Sequence, residues 1–348
     1  MDTKPVHREI SMQAVANLAG VHRTTVSLVL RRHPRISLAT RNRVMEAVNK
    51  LGYRINPLIS ALMQAHRRMR PLTNVSKIAW VTAWPTRYGW RLPENSIPDF
   101  MPGAIARAEE LGYKIDHFWL AEPGMTPRRM SRILYARNIT GVVLGRLPPG
   151  LSRIELQSDD FAMVSIGVSL ESPRISHVAE NHFHSCKLAV QTCLARGYRR
   201  IGLALPHRLY ERVQEKFLGA FLVEQSRLPT SRQIPPMITE APDERIFRRW
   251  MKRHSPDVVI CPNVAVVLPW MNRLGHRVPQ DVGLAGLAVE QRDGAHAGIW
   301  CDPAIIGSMA VELVVSALQR NERGLPAHEQ EILYRPNWVE GRTIRLPP

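Results

Sequence analysis

Apolar residues recur at helical spacing within the first sixty positions and predict three short helices separated by turns. Ser11 and Gly20 are expected to cap and end the first helix, and the second follows over residues 24–30. Ser37 caps the third helix, which Gly52 ends. Two helices joined by a tight turn that contains glycine describe a helix-turn-helix. We assign to its small core the residues Val15, Val26, Val44 and Leu51.

A further short helix is predicted after Asn56, because Asn is a favourable cap and Pro57 suits the first helical position. Beyond residue 75, apolar strands alternate with amphipathic helices, which is typical of parallel sheets covered by helices on both faces. This remaining length, about 270 residues, is too great for one small open sheet. We therefore expect a multi-domain protein: an all-α helix-turn-helix head and an α/β core of two subdomains.

The same alternation gives approximate bounds for the elements of the core. The strands are predicted at 77–83, 114–119, 141–144, 162–166, 201–205, 258–261 and 282–287. The helices are predicted near 102–112, 127–137, 182–196, 209–226, 243–253, 264–275 and 304–322.

Positive charge is concentrated at the start of the chain. Residues 1–70 hold 13 Lys and Arg but only three Asp and Glu, whereas the whole chain has 47 basic and 30 acidic residues. Such clustering is typical of a module that binds nucleic acid. A solvated basic face without a partner is the alternative that charge alone leaves open.

Composition excludes several other classes of protein. Apolar residues make up 45% of the chain, which is enough for a packed core. No apolar run approaches the roughly 18–20 residues of a membrane span, and the first residues lack the apolar stretch of a secretory signal. Four scattered cysteines are too few for a disulfide framework. We therefore expect a soluble cytoplasmic protein with a polyanionic partner.

The sequence lacks the common motifs of catalysis. It has no glycine-rich phosphate loop, zinc-ligand spacing, Gly-x-Ser-x-Gly elbow or nucleophile with a matched base, so we expect no enzyme, no cofactor and no metal. The spacing of His182, His184 and Cys186 superficially suggests metal ligands, but the start of a helix explains it better. Cys186 and Cys193 share one face of that helix and are expected to be buried.

Many residues of the head and core match a known family at fixed spacing. In the head these are Val15-Ala16, Ala19-Gly20-Val21, Thr25-Val26-Ser27, Val29-Leu30, Ser37, Thr40-Arg41, Val44, Leu51-Gly52-Tyr53, Asn56 and Leu62. In the core they are Glu180-Asn181, Gly197-Tyr198-Arg199-Arg200-Ile201, Pro256-Asp257, Asn263, Val278-Pro279-Gln280-Asp281-Val282, Asp302-Pro303 and Gly307. The pattern resembles the lactose/galactose repressor (LacI/GalR) family of bacterial transcription regulators.

The resemblance implies a domain organisation and a set of partners. It implies a helix-turn-helix DNA-binding domain over 1–55, a hinge helix and linker over 56–75, and an effector-binding and dimerisation core over 76–348, built like a periplasmic sugar-binding protein. It also implies a homodimer on a palindromic double-stranded DNA operator, with no membrane partner.

The resemblance also assigns roles on DNA, because the second helix of such a head enters the major groove. It assigns base reading to Arg23, Thr24 and Leu28. It assigns phosphate contacts to Ser11, Thr25, Ser27, Ser37 and Thr40. It assigns to Leu62 the wedge that enters the minor groove. A long polar residue is common in the family where Leu28 stands, and core packing is the alternative role for this side chain.

An effector is expected beyond the carboxyl ends of the strands. The candidate residues are Trp84, Arg87, Tyr88, Trp90, Lys216, Asn263, Glu290 and Trp300. Two family carboxylates are replaced, since Val264 follows Asn263 and Gly-Leu-Ala-Val at 286–289 stands where Gly-Phe-Asp-Asp is typical. The sequence therefore argues against an ordinary hexose and leaves open either another small molecule or no effector at all.

Together these observations predict a sequence-specific transcriptional regulator, expected to be a cytoplasmic, nucleoid-associated repressor with a small-molecule effector of carbohydrate-related chemistry. The alternative is a nonspecific or architectural DNA-binding protein whose core has lost effector binding, because counterion release is independent of sequence.

Overall fold

A computed structural model describes residues 11–30, 36–53, 76–92, 98–156 and 159–345 of the chain. The predicted hinge helix and linker over 56–75, with Leu62, lie outside these residues. None of the described helices is long and apolar enough to span a membrane.

The N-terminal unit consists of three helices: α1 (Met12–Ala19), α2 (Arg23–Leu30) and α3 (Leu38–Leu51). The side chains of Ser11 and Ser37 cap α1 and α3, because each hydroxyl oxygen accepts the backbone N–H three residues on, at 3.2 and 3.3 Å. Gly20 and Gly52 end these helices in the left-handed conformation, with φ of 60° and 63°. The predicted caps and stops of the head are therefore confirmed.

The three helices enclose a small apolar core. Val15, Val26 and Val44 are fully buried in it, and Leu51 packs against it while remaining partly exposed. Isolated helices of this length are only marginally stable in water. Because so small a core adds little stability, the capping hydrogen bonds of α1 and α3 matter to the fold of the head.

Twelve strands occur in the described residues. They are β1 (Ser76–Thr82), β2 (Tyr113–Trp119), β3 (Gly141–Leu144), β4 (Ala162–Ile166), β5 (His177–Glu180), β6 (Ile201–Pro206), β7 (Met237–Thr239), β8 (Val258–Cys261), β9 (Gly283–Gly286), β10 (Gly298–Trp300), β11 (Glu331–Tyr334) and β12 (Asn337–Val339). The α-helices described between them are α4 (Met101–Glu110), α5 (Pro127–Ala136), α6 (His182–Ala195), α7 (His207–Arg212), α8 (Lys216–Gln225), α9 (Glu244–His254), α10 (Val264–Arg273) and α11 (Pro303–Arg320).

The strands form two six-stranded sheets, one in each α/β subdomain. The first sheet has the order β11-β5-β4-β3-β1-β2, and all its pairs are parallel. The second has the order β12-β10-β9-β8-β6-β7, with β12 antiparallel to β10. Alternate residues of β1 belong to apolar clusters on opposite faces, Ile78 and Trp80 to one and Ala79 and Val81 to the other. Both faces of the first sheet are therefore covered, as the sequence predicts.

The chain passes between the two subdomains three times. It leaves the first sheet after β5, returns after β10 to form α11 and β11, and leaves again to form β12. The crossings after β5 and β10 start at the carboxyl ends of parallel strands. The carboxyl edges of the two sheets therefore border the cleft between the subdomains, where open α/β sheets bind ligands.

Some predicted elements need correction. The single helix predicted over 209–226 is wrong, because the chain breaks it into α7 and α8. Gln214 and Glu215 stand between them with φ of 53° and 60°, a conformation that cannot continue a right-handed helix. The strands β5, β7, β10, β11 and β12 were not predicted, and each has only three or four residues.

Candidate nucleic-acid interface and effector cleft

Helix α2 has a buried side and an exposed side. Val26 and Val29 are buried against the other helices, whereas Arg23 and Thr24 are exposed. Leu28 is half-buried and is not among the residues that pack against the core of the head. Since residues four apart share a helix face, Leu28 lies on the same side as Thr24. The three predicted base-reading residues thus occupy the outer side of one helix.

His22, which the sequence reasoning did not single out, holds Thr24 in place. Its Nδ1 atom lies 2.9 Å from the Thr24 hydroxyl oxygen and accepts the Thr24 backbone N–H at 3.4 Å. Because the ring nitrogen acts as the acceptor, the Thr24 hydroxyl donates its hydrogen to it and presents its lone pairs outward. A polar residue directly before a predicted helix is the sequence signal that could have identified His22.

The predicted phosphate-binding residues lie in or directly before the three helices. Ser11 and Ser37 are exposed caps, and Thr25, Ser27 and Thr40 are partly exposed. The Ser37 hydroxyl donates to the Thr40 hydroxyl oxygen at 2.9 Å, so the hydrogen of the Thr40 hydroxyl points elsewhere. The first N–H groups of a helix have no intrahelical partner and attract anions, so the starts of α1 and α3 suit phosphate.

The loop after β1 carries four of the predicted effector residues, and two of them are structural. Trp84 and Trp90 are only 3% and 5% exposed and belong to the core of the first subdomain. Their indole N–H groups donate to the Arg146 carbonyl oxygen at 2.8 Å and to Asp99 at 3.1 Å. Tyr88 is 48% exposed and Arg87 is also exposed. Of these four residues, only Tyr88 and Arg87 have side chains exposed enough to contact a ligand.

His117 lies beneath this loop. Its Nε2 atom is 2.8 Å from the Thr82 hydroxyl oxygen, and its ring packs 5.1 Å from the Trp90 ring. Burial, reinforced by the positive charges of Arg87 and Arg91, lowers the pKa of His117 to about 4. The imidazole is therefore neutral in the folded protein at physiological pH.

The neutral His117 makes the core less stable in acid. Between pH 6.5 and pH 4 the unfolded chain binds a proton at this histidine and the folded chain does not, so stability falls as pH falls. We expect a loss of about 1–2 kcal/mol from this group, allowing for partial solvent screening, and no contribution above pH 7. Urea unfolding at pH 7 and pH 4.5 measures this loss. Between these pH values the free energy of unfolding should fall less for the His117→Gln variant than for the wild type. The control variant His328→Gln, at an exposed histidine, should follow the wild type; equal acid effects in all three proteins would contradict the assignment.

Asn263 and Glu290 come together at the edge of the second sheet. The Asn263 amide donates to a Glu290 carboxylate oxygen at 3.3 Å, and its carbonyl oxygen caps α10 by accepting the Ala265 N–H at 2.8 Å. They line a cavity of about 200 Å³ together with Ala288, Asp293 and His296. This volume is smaller than the ~300–1,000 Å³ of most ligand pockets.

Lys216 and Trp300 have other partners. The Lys216 ammonium forms an ion pair with Glu331 at 2.9 Å, which joins α8 to the first sheet. The Arg292 guanidinium lies 4.8 Å from the centre of the Trp300 ring. The predicted effector residues thus fall into separate groups: the loop after β1, the pair Asn263 and Glu290, and these two residues.

Two arginines in the cleft were missed by sequence reasoning. Arg146 lies two residues after the end of β3 in the first subdomain, and Arg212 ends α7 in the second. The Arg212 guanidinium donates to the carbonyl oxygen of Leu147, so it reaches across the cleft to the neighbour of Arg146. Burial and the charge of Arg146 lower the pKa of Arg212 to about 9. A charged residue within two positions of the end of a buried strand is a signal that could have identified Arg146.

Glu180 is the carboxylate that faces Arg146. It accepts a hydrogen bond of 2.6 Å from the Ser185 hydroxyl, and one of its oxygens lies 3.7 Å from Nδ1 of His182. Burial opposes ionisation, but His182, Ser185 and Arg146 outweigh it and hold the pKa of Glu180 below its usual value. The cleft therefore contains two guanidinium groups and one carboxylate.

His182, His184 and Cys186, whose spacing suggests metal ligands, do not come together as a metal site. Cys186 is fully buried in the second subdomain, and burial raises the pKa of its thiol. Among the described residues, no group of three or more His, Cys, Asp and Glu side chains could hold a metal ion. Cys193 is also fully buried, as predicted.

The structure thus places a helix-turn-helix unit before two α/β subdomains. The family model described as "Bacterial regulatory proteins, lacI family" matches residues 11–56, and "Periplasmic binding protein-like domain" matches residues 190–344. The chain therefore carries a LacI-type helix-turn-helix domain and a periplasmic-binding-protein-like domain.

Relatives and solved structures agree with this assignment. The HTH-type transcriptional regulator GntR of Escherichia coli (strain K12) is 24% identical over 299 residues, which cover 79% of this chain and 80% of the relative. AglR of Rhizobium meliloti (strain 1021), another HTH-type transcriptional regulator, is 25% identical over 286 residues, or 79% of this chain and 76% of AglR. These relatives are regulators rather than enzymes.

Two solved structures share the fold over nearly the whole chain. The complex of the transcriptional regulator CelR with cellobiose has a TM-score of 0.54 at 19% identity and covers 96% of this chain and 99% of that chain. The Lac repressor dimer bound to operator and the anti-inducer ONPF has a TM-score of 0.54 at 18% identity. The match covers 97% of this chain and 99% of the Lac repressor chain. The predicted fold class, a helical head and a periplasmic-binding-protein-like core, is confirmed.

Proposed function

We propose that this protein is a transcriptional regulator of the LacI family that binds a palindromic DNA operator as a homodimer, represses transcription, and responds to a small molecule in the cleft. The observation that carries this proposal is the outer face of α2, which presents Arg23 and Thr24 while Val26 and Val29 hold the helix on the head. A helix so anchored can enter the major groove with its first residues toward the bases.

The residues of this face suit different bases. Arg23 can donate two hydrogen bonds to O6 and N7 of guanine, which is the commonest specific contact of arginine. Thr24, whose hydroxyl hydrogen is held by His22, offers an acceptor to the amino group of cytosine or adenine. Leu28 can contact the methyl group of thymine. The geometry thus favours a half-site with at least one guanine.

Phosphate contacts would fix the register of the head on the duplex. Hydroxyl groups near the helix starts can serve this purpose, since they read no sequence but orient the reading helix. We assign this role to Ser11, Thr25, Ser27, Ser37 and Thr40. Residues 1–55 would form the DNA-binding domain, 56–75 the hinge and linker with Leu62 as a minor-groove wedge, and 76–348 the effector-binding and dimerisation core.

Dimer formation has support from the surface of α8. The adjacent apolar residues Leu222 and Val223 are 46% and 43% exposed there. Exposed apolar neighbours favour contact with another protein surface. The Lac repressor of similar fold is described as a dimer on its operator, and we infer the same assembly for this chain.

Effector control would act through the cleft between the subdomains. CelR, which shares the fold, is described as a complex with cellobiose, and we infer that a small molecule occupies the corresponding cleft here. A ligand that contacts both subdomains favours one relative arrangement of them and so changes DNA affinity. Such coupling is typically ~1–3 kcal/mol, and DNA changes effector affinity by the same factor. We expect this regulation in the bacterial cytoplasm, on the nucleoid.

The second candidate function is an architectural DNA-binding protein. The basic head favours it, because 13 basic residues against three acidic ones within 1–70 attract any duplex. The large two-subdomain core argues against it, since nonspecific binding does not need a cleft.

Stoichiometry on DNA tests the dimeric operator. Sedimentation of the full-length protein with an inverted-repeat site should show two chains per duplex. Affinity for the full repeat should exceed that for a matched half-site of equal length by at least about 100-fold, because the second head binds at a high effective concentration. One chain per duplex, or equal affinity for both DNAs, would contradict the proposal.

A further inference from the structure

Two guanidinium groups from opposite subdomains meet in the cleft, those of Arg146 and Arg212. Arg146 extends from the carboxyl end of β3, and Arg212 crosses from α7 to donate to the Leu147 carbonyl oxygen. Among the described residues, the Arg146 guanidinium forms no hydrogen bond, and neither arginine forms an ion pair. Both side chains are only partly exposed.

The charges around this pair do not balance. Glu180 is the carboxylate that faces Arg146, and its oxygens already accept from Ser185 and lie near His182. The thiol of Cys301 is also close to Arg146, and burial raises its pKa so that it carries no charge. Burial lowers the pKa of both arginines, which means that the cleft disfavours their charge.

The segment next to Arg212 is strained and attached to the opposite subdomain. Gln214 and Glu215 follow α7 with left-handed backbone although neither is glycine. The Gln214 amide donates to the Val168 carbonyl oxygen of the first subdomain at 3.3 Å. Strained residues of this kind cluster at ligand clamps and switch segments. This segment therefore links the end of α7 directly to the first subdomain.

We propose that the effector carries an anionic group, a carboxylate or a phosphate, which Arg146 and Arg212 bind from opposite sides of the cleft. The planar forks of two guanidinium groups match the paired oxygens of either group. The space that Trp80, Trp90 and Phe100 line beside Arg146 has a volume of only about 10 Å³, so the assignment rests on the two guanidinium groups and not on these core side chains. This proposal rests on the proposed function, since it names the ligand class of the same cleft.

A purely structural role does not explain the arginine pair. Buried charges are costly to folding unless they are paired, so a structural arginine is normally found with its carboxylate. An anion between the two side chains supplies the missing partner and draws the subdomains together.

Calorimetric titration of the full-length protein tests this proposal with four probes at constant ionic strength: D-glucose, D-glucuronate, D-glucose 6-phosphate and inorganic phosphate. At least one charged sugar should bind ten times more tightly than glucose. The variants Arg146→Gln and Arg212→Gln should each weaken that binding at least tenfold. Arg208→Gln removes the same charge from the exposed side of α7 and should leave it unchanged. Comparison of the affinity for glucuronate with the affinities for the two phosphate probes shows whether the site prefers a carboxylate or a phosphate.

The proposal is overturned if glucose binds as tightly as the charged sugars, if no charged probe binds, or if both cleft variants keep wild-type affinity. Thermal unfolding of each variant without probe shows that it is folded. Operator binding is measured in parallel on the same proteins. Loss of sequence-specific DNA binding with retained anion binding would defeat the proposed function and leave the ligand assignment intact.

Discussion

Replacement of Gly307 by alanine should destabilise the core by about 3 kcal/mol or more, because a side chain at this position has no space. A Cβ atom there would lie 2.0 Å from the Phe100 carbonyl oxygen and 2.8 Å from the Ala104 nitrogen. Both contacts are to backbone atoms, one of Phe100, which caps α4, and one within α4, so no side chain can move aside. The reciprocal position in α4 is Gly103, whose Cβ would lie 2.1 Å from the Ala304 carbonyl oxygen. The two helices cross at these glycines.

Gly219 provides the matched control for this prediction. It lies within α8, and a Cβ atom there would have no other atom within 4 Å. Gly219→Ala should therefore stabilise the protein by about 0.5–1 kcal/mol, since alanine loses less backbone entropy in a helix. Denaturant unfolding followed by circular dichroism measures both variants. Similar changes in stability for the two would show that the α4–α11 contact is not as close as described.

Replacement of Arg23 by alanine should relax base preference at one position of each half-site. The free-energy preference for guanine over the other bases at that position should fall by about 1–3 kcal/mol per arginine, because a bidentate contact with guanine is removed. Affinity for unrelated DNA should fall much less. Fluorescence anisotropy with the preferred duplex and all single-base changes of one half-site measures the effect.

Arg43→Ala is the control for the loss of charge, because Arg43 is an exposed arginine on α3. It should weaken binding to all duplexes equally and lower the dependence on salt, as removal of a phosphate contact does. If Arg23→Ala behaves in the same uniform way, Arg23 contacts a phosphate and not a base.

The helical head could be predicted in detail because its signals are local. Ser11 and Ser37 cap their helices through their own side chains, and Gly20 and Gly52 end them through their own backbone. The central strands β3, β4 and β8 were predicted exactly, since strands buried on both faces are continuous apolar runs. Short edge strands carry no such pattern, and the three residues of β7, β10 and β12 are too few to show one.

The cleft was harder to predict because its residues depend on tertiary contacts. The rule that ligands bind at the carboxyl ends of strands pointed to the loop after β1, but Trp84 and Trp90 belong to the core there. Arg146 follows β3 in the same way and could have been chosen by that rule. Arg212 could not, because only the break between α7 and α8 brings its guanidinium to Leu147. Two consecutive non-glycine residues with positive φ have no signature in the sequence.

Selection of binding sites from a randomised pool of duplex DNA, at one fixed salt concentration near physiological, tests the central claim most directly. We expect an inverted repeat with guanine in each half-site, recovered by the full-length protein and bound far more tightly than unselected DNA. Recovery of no motif, with affinity that collapses uniformly as salt rises, would contradict a sequence-specific regulator and support the architectural function instead.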